Sequence, residues 1–309
     1  MKNWLKIPLS LFTFFLFLIS CKDDKDKSDV QPATETILSG NINILVDNSV
    51  QPIAEDVIAV FGSIYKNAVI TQINKPEKEL IELMHNDVAG VAVMPRVLTE
   101  SEAQYFKDKK ITPKITEFAT DAIAFITNER SADTIIDLQE VLKVLQGKES
   151  KIKNLVFDNV GSSTAQYLLN LAGEDNMPQS NVYSVKSNEE VIKYIHDNAG
   201  AVGVIGVNWL LQPPPQISDY VKKIKVLAVN NVKPDTDGKG YYKPTQSNIA
   251  RGLYPLTRKL YVLNYQGKKG LGMGFATYIS AFEGQRIILK SGLLPVEIPY
   301  REISVRNEL

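Results

Sequence analysis

The sequence predicts an α/β protein of two lobes, each a mixed, mainly parallel sheet flanked by helices, joined by two extended strands. Three observations predict it. Apolar runs of strand length alternate with amphipathic runs of helix length, the order that builds parallel sheets. One run, 89–94, is apolar almost throughout, as a strand covered on both faces must be. Two extended runs, 115–127 and 253–263, outlast an ordinary strand of about 5–6 residues and separate two groups of strand–helix units. The predicted organisation is 38–122 plus 260–309 for the first lobe and 123–259 for the second.

The elements follow in order. Residues 42–46 form the first strand, and Asp47-Asn48-Ser49 turns the chain into a helix over 53–61. Residues 68–73 are the next strand. Leu80, Ile81, Leu83 and Met84 give the 77–85 helix its inward face. After the 89–94 strand, Pro95-Arg96 breaks the pattern, and Thr99 with Glu102 three residues on is a capping box. The 115–127 run follows, then a helix over 137–145 and a strand at 155–157. A helix over 188–195 and a glycine-flanked strand over 200–206 come next. Pro213-Pro214-Pro215 is a loop, 224–229 a strand and 233–243 a surface excursion. After the 253–263 run comes one helix over 270–289, or two broken near Gly284, and a closing extended segment over 295–305.

The stretch 157–169 carries the most chemistry. A strand end, the turn Asp158-Asn159-Val160-Gly161-Ser162-Ser163-Thr164 and an apolar helix pattern stand in succession. The first N–H groups of a helix lack intrahelical partners and sit at the positive end of its dipole, so such a turn can hold an anion. Ser162, Ser163 and Thr164 add hydroxyl donors. The same residues are also ordinary helix N-caps, so the turn alone serves either role.

The N-terminus reads as an export signal. Lys2 and Lys6 precede a short apolar run, 9–19, that ends in Leu18-Ile19-Ser20-Cys21. That run is too short to span a bilayer and has the shape of a secretory leader. The ending resembles the bacterial lipoprotein box, which implies cleavage after residue 20 and lipidation of Cys21, the single cysteine. Residues 21–37, rich in charge and without apolar period, are then a solvated tether. Its charged start resembles the surface-export signal of Bacteroidetes lipoproteins. Loss of Lys2 and Lys6 turns 35 basic against 35 acidic side chains into 33 against 35, a net charge near −2 that gives no reason to expect nucleic acid.

Seven stretches in order resemble the phosphate-binding proteins of bacterial ABC transporters, of the PBP-like type II fold. They are Asp47-Asn48-Ser49-Val50-Gln51-Pro52; the segment 89–100 around Pro95-Arg96-Val97-Leu98; Asp121-Ala122-Ile123-Ala124-Phe125-Ile126-Thr127-Asn128 of the first extended run; Gly161-Ser162-Ser163-Thr164; Ala199-Gly200-Ala201-Val202-Gly203-Val204; Tyr254-Pro255-Leu256-Thr257-Arg258; and 284–295. The resemblance implies a lipid-anchored solute-binding protein of the cell envelope. It would grip inorganic phosphate or a related oxyanion between its lobes and deliver it to an ABC permease, without enzyme activity or cofactor. By position it implies phosphate contacts from Ser49, Ser162, Ser163 and Thr164. The family's arginine falls on Asp158 and the family's aspartate near Pro95, beside Arg96. The charges thus look exchanged: Arg96 would supply the cation, and Asp158 would accept a hydrogen bond from a protonated oxygen or pair with Arg96. Arg96 as a surface-loop residue and Asp158 as a turn former stand beside that assignment. The alternative function is an oxyanion-sensing or surface-interaction lipoprotein that kept the fold with an altered or lost site.

Other chemistries lack their residues. The two histidines, His85 and His196, lie on separate helices with no cysteine or second histidine at ligand spacing, so no metal site is expected. Gly161-Ser162-Ser163-Thr164 is not the elbow of a serine hydrolase. The glycines of 267–274 follow neither dinucleotide nor P-loop spacing.

Overall fold

In the computed structural model, which describes residues 35–230 and 240–300, β1 (Gly40–Asp47) enters the core and ends at Asp47. A single 3-10 turn, Asn48–Val50, leads into α1 (Gln51–Ile64), with Pro52 in the first turn, where its missing N–H breaks no helical bond. β2 (Ala68–Lys75), α2 (Glu77–His85), β3 (Val91–Met94) and α3 (Glu100–Asp108) complete the first strand–helix group. Thr99 and Glu102 form the predicted capping box, each side chain bonded to the other's backbone N–H. β4 (Lys114–Asn128) is 15 residues long. β5 (Ile135–Ile136) and α4 (Leu138–Leu145), capped by Asp137, follow. Next come β6 (Leu155–Phe157) and α5 (Ser163–Ala172), the latter capped by Ser162 and stopped by Gly173 at φ 73°. The chain continues through β7 (Val182–Ser184), α6 (Asn188–Asp197), β8 (Val202–Gly206), α7 (Asn208–Leu211), α8 (Ser218–Val221), β9 (Ile224–Val226) and β10 (Ala228–Asn230). It ends in β11 (Tyr241–Tyr242), α9 (Gln246–Ala250), β12 (Thr257–Asn264), α10 (Leu271–Ser280), α11 (Phe282–Lys290) and β13 (Leu294–Pro295).

The main sheet has the path β2-β1-β3-β12-β4-β8-β6-β7. Its two flanks are parallel, β2-β1-β3 on one side and β8-β6-β7 on the other. Between them β12 and β4 run antiparallel to their neighbours. β4 serves both flanks. Lys114 to Ala122 pair with β12, and Ile123 to Ile126 pair with β8. Helices cover the flanks and bury apolar faces, such as Leu80, Ile81 and Met84 of α2 or Val191, Ile192 and Ile195 of α6. This is the predicted α/β class. β5, β10 and β11 form a separate small sheet.

The elements differ from expectation where side chains override pattern. The 224–229 strand divides into β9 and β10 around Leu227, because β9 pairs with β4 while β10 joins the small sheet. The 253–263 run becomes a strand only at Thr257; before it, buried Tyr254 donates its hydroxyl to Ile123 O at 2.6 Å. Residues Thr257, Arg258 and Lys259, expected in the second lobe, pair with Ala122, Asp121 and Thr120. The C-terminal run is two helices, as the second alternative had it, and the break falls at Ala281, which is extended (ψ 174°), three residues before Gly284. Gly284 serves a close approach instead: a Cβ there would lie 2.3 Å from Tyr278 O and 2.5 Å from Ile279 Cα. Buried Gln285 beside it donates to Phe118 O at 2.9 Å, where the β4–β12 register shifts. Residues 1–20, expected to be a signal peptide, Cys21 and all but the end of the expected tether lie outside the described residues, as do 231–239 and 301–309. Among the described residues no helix is long and apolar enough to cross a membrane.

Gly284→Ala forces backbone apart where α10 meets α11. Overpacking of this kind costs about 1–3 kcal/mol, so a thermal melt should show the midpoint lowered by roughly 5 °C.

Candidate functional site

Two strand ends meet above the centre of the sheet. β1 delivers Asp47 and Ser49; β6 delivers Asp158 and the turn into α5. Ligands of open parallel sheets sit at such carboxyl ends. Each turn is held locally. Asp47 Oδ1 accepts the Ser49 N–H at 2.9 Å, Asn159 Oδ1 accepts the Gly161 N–H at 2.7 Å, and Ser162 Oγ accepts the Ala165 N–H. The second flank also pins the first: Asn208 Nδ2 donates to Ser49 O at 2.6 Å, and Trp209 Nε1 donates to Asn48 O at 2.9 Å.

The two turns touch through hydroxyls. Ser163 Oγ donates to Asp47 Oδ1 at 2.8 Å, and Ser49 Oγ donates to the same oxygen. The two hydroxyl oxygens lie 2.9 Å apart. Each has one proton, given to Asp47, so each is free to accept. Arg258 fills both positions, NH1 donating to Ser163 Oγ at 3.0 Å and NH2 to Ser49 Oγ at 2.9 Å. Its Nε and NH2 also donate to Asp121 Oδ2 at 3.0 and 2.7 Å. Arg258 and Asp121 are directly opposed on β12 and β4, and are 6% and 0% exposed. Burial pushes the Asp121 carboxyl upward, and the Arg258 charge pulls it back down. Gly206 makes the space: a Cβ there would stand 2.7 Å from Ser49 O and 3.0 Å from Arg258 NH2.

A second network lies beside the first. Thr164 Oγ1 donates to Asp158 Oδ1 at 3.4 Å, Asn188 Nδ2 donates to Asp158 Oδ2 at 3.2 Å, and Ser162 Oγ and Thr164 Oγ1 are 3.0 Å apart. Burial raises Asp158 to about 6; the nearby Asp47 charge also raises it, while the Ser162 hydroxyl opposes the rise.

The structure therefore brings together Ser49, Asp158, Ser162, Ser163 and Thr164. It does not bring Arg96 to them, and it corrects the pairing of Arg96 with Asp158. Arg96 donates to Glu77 Oε1, to both carboxylate oxygens of Glu102 and to Val97 O. Two carboxylates from the first turns of α2 and α3 hold it away from the serines. The cation of the site is Arg258, which sequence reasoning missed, along with Asp47 and Asp121. A weak signal for the pair was present: Asp121 and Arg258 are opposite charges within the two long extended runs, as are the more exposed Glu117 and Lys259 that also pair. Asp47 carried no signal beyond its place in a turn. His85 bonds Glu102 O at 2.8 Å and His196 bonds Asp197 at 2.7 Å, so both serve local packing.

Residues 31–281 match the profile of the PBP superfamily domain, and the chain belongs to that superfamily. The chain is 24% identical over 275 residues to the phosphate-binding protein PstS of Borreliella burgdorferi, covering 83% of this chain and 90% of that one. Among solved structures it is similar to a phosphate ABC transporter substrate-binding protein from Clostridium perfringens with bound phosphate. The TM-score is 0.67 at 20% identity, over 84% of this chain and 100% of the other. An ABC-type phosphate transport receptor from Vibrio cholerae gives 0.60 at 20% identity, over 83% and 100%.

Two measurements probe the buried charges. Arg258→Met leaves Asp121 unpaired and should lower stability by about 3–5 kcal/mol in urea denaturation. Arg258→Met with Asp121→Leu should recover most of that loss. For Asp158 the folded pKa of about 6 exceeds the ordinary aspartate value of 3.8, so between the two the folded chain holds a proton that the unfolded chain has released. The resulting stability is complete below the lower value and is lost as pH rises through the upper one. Relative to Asp158→Asn, the wild type should lose on the order of 3 kcal/mol between about pH 4 and pH 7. A flat difference across that window would contradict the assigned environment.

Proposed function

We propose that the chain captures inorganic phosphate, or an oxyanion of the same shape such as arsenate, between the two flanks of its sheet and delivers it to an ABC-type permease. The observation that carries this reading is the convergence of Ser49 from one flank and Ser163, at the N-terminus of α5, from the other on Arg258, with Ser162 and Thr164 in the network beside them. A tetrahedral oxyanion needs donors from several directions, including a guanidinium and helix N–H groups. In the unliganded arrangement the Asp47 carboxylate takes the serine protons. A phosphate entering between the turns would accept from Arg258 and the α5 N–H groups, and Asp158 would accept a hydrogen bond from a protonated ligand oxygen.

Entry requires the flanks to part. The reading places that motion where β4 changes partners, between Ala122 and Ile123, and in the second connection before Thr257. The lobes then divide near residues 122 and 256, with lipidated Cys21 and the charged tether holding the protein to the cell envelope. The phosphate-transport names of the relatives support this reading; nothing in the site favours catalysis.

Thermal unfolding with phosphate, arsenate and sulfate tests it. Phosphate at about a hundred times its dissociation constant adds about 2.7 kcal/mol and should raise the midpoint by several degrees; sulfate should not. Ser163→Ala should weaken phosphate binding at least tenfold in calorimetry. No shift with any oxyanion would overturn the proposal.

A further inference from the structure

The site carries more negative charge than an anion site needs. Asp47, Asp121 and Asp158 are each 0–1% exposed, and Arg258 is the one guanidinium among them. Two of its donors are already committed to Asp121. Two neighbouring cations are held elsewhere: Lys75, opposite Asp47 on β2, reaches Glu79, and Arg96 is held by Glu77 and Glu102. Glu77 adds a further carboxyl near Asp47, raised by burial and, less, by the Asp47 charge, against the pull of Arg96. The Tyr167 hydroxyl, near Arg258, donates to Thr257 O at 3.3 Å. A dianion would therefore meet like charge on both flanks.

The hydrogen-bond inventory points the same way. The protons of Ser49 and Ser163 go to Asp47, and that of Thr164 goes to Asp158. Asp47 Oδ2 is buried and has no partner among the described residues. Asp158 Oδ1 accepts a long bond, 3.4 Å, from Thr164. A buried acceptor without a donor is costly, and a ligand hydroxyl relieves that cost where a bare oxyanion oxygen cannot. Resting on the reading of this cluster as an oxyanion site, we propose that it selects the singly charged dihydrogen form of phosphate or arsenate over the dianion. Asp47 accepts from one of its two O–H groups, and Asp158 from the other, through its carbonyl oxygen where it is itself protonated. Asp47 is then the specificity-determining residue, and it comes from a turn at which the resemblance had assigned only Ser49.

Calorimetry with inorganic phosphate at about pH 5.5, 7 and 8.5 tests this. The apparent affinity should fall at least tenfold from the lowest to the highest pH. Hypophosphite, a smaller monoanion without an O–H group, should fail to compete at pH 5.5. Asp47→Asn, which removes one carboxylate charge, should bind phosphate more weakly than wild type at pH 5.5 and more tightly at pH 8.5. A merely structural role would shift both in one direction. Phosphate binding that is flat or rises with pH, or hypophosphite binding as tight as phosphate, would overturn the selection of the monoanion and leave phosphate capture standing. Absence of phosphate binding at every pH would overturn both.

Discussion

The pairing of Arg258 with Asp121 across β12 and β4 is the interaction on which the site depends. A buried ion pair adds little net stability, because desolvating two charges offsets their attraction. Its effect here is directional. Asp121 takes Nε and part of NH2, which fixes the plane of the guanidinium and aims NH1 and NH2 at Ser163 and Ser49. Those serines belong to turns on opposite flanks, so one side chain sets the registry between them. Gly206 permits the approach by leaving room for both Ser49 O and the guanidinium.

That arrangement places the positive charge at the junction of the flanks, on the paired central strands. The family resemblance puts an arginine at the position of Asp158, in the second flank. Here Asp158 is instead a buried carboxyl held by Asn188 and Thr164. The guanidinium beside these turns is Arg258 of the central strand, bonded to Asp121, Ser49 and Ser163, while Arg96 stays in the first flank with Glu77 and Glu102.

The alternation of strands and helices was legible because burial on both faces leaves apolar runs such as Val91–Met94 and amphipathic runs such as Glu77–His85. Ser49 and Ser162 to Thr164 were legible because their turns follow strands and start helices. Arg96 was misplaced because a basic residue beside a strand end looks free until its neighbours are known; Glu77 and Glu102 lie 19 and 6 residues away in sequence. Arg258 and Asp121 are 137 residues apart, and only the strand register makes them partners. Short elements such as β7 and α7 carry too few residues to show a period.

The path of the main sheet has a consequence for how the chain is made. β3 and β4 are close in sequence, yet they do not pair; β12 lies between them. Tyr261 to Asn264 supply the partners of Val91 to Met94, and Thr257 to Asn264 supply those of the first part of β4. Closing so long a connection is entropically slow. The N-terminal flank therefore remains an unfinished sheet until residue 264 has emerged from whatever machinery delivers the chain. Neither flank is an independent module, and the molecule assembles last at the seam where Arg258 sits.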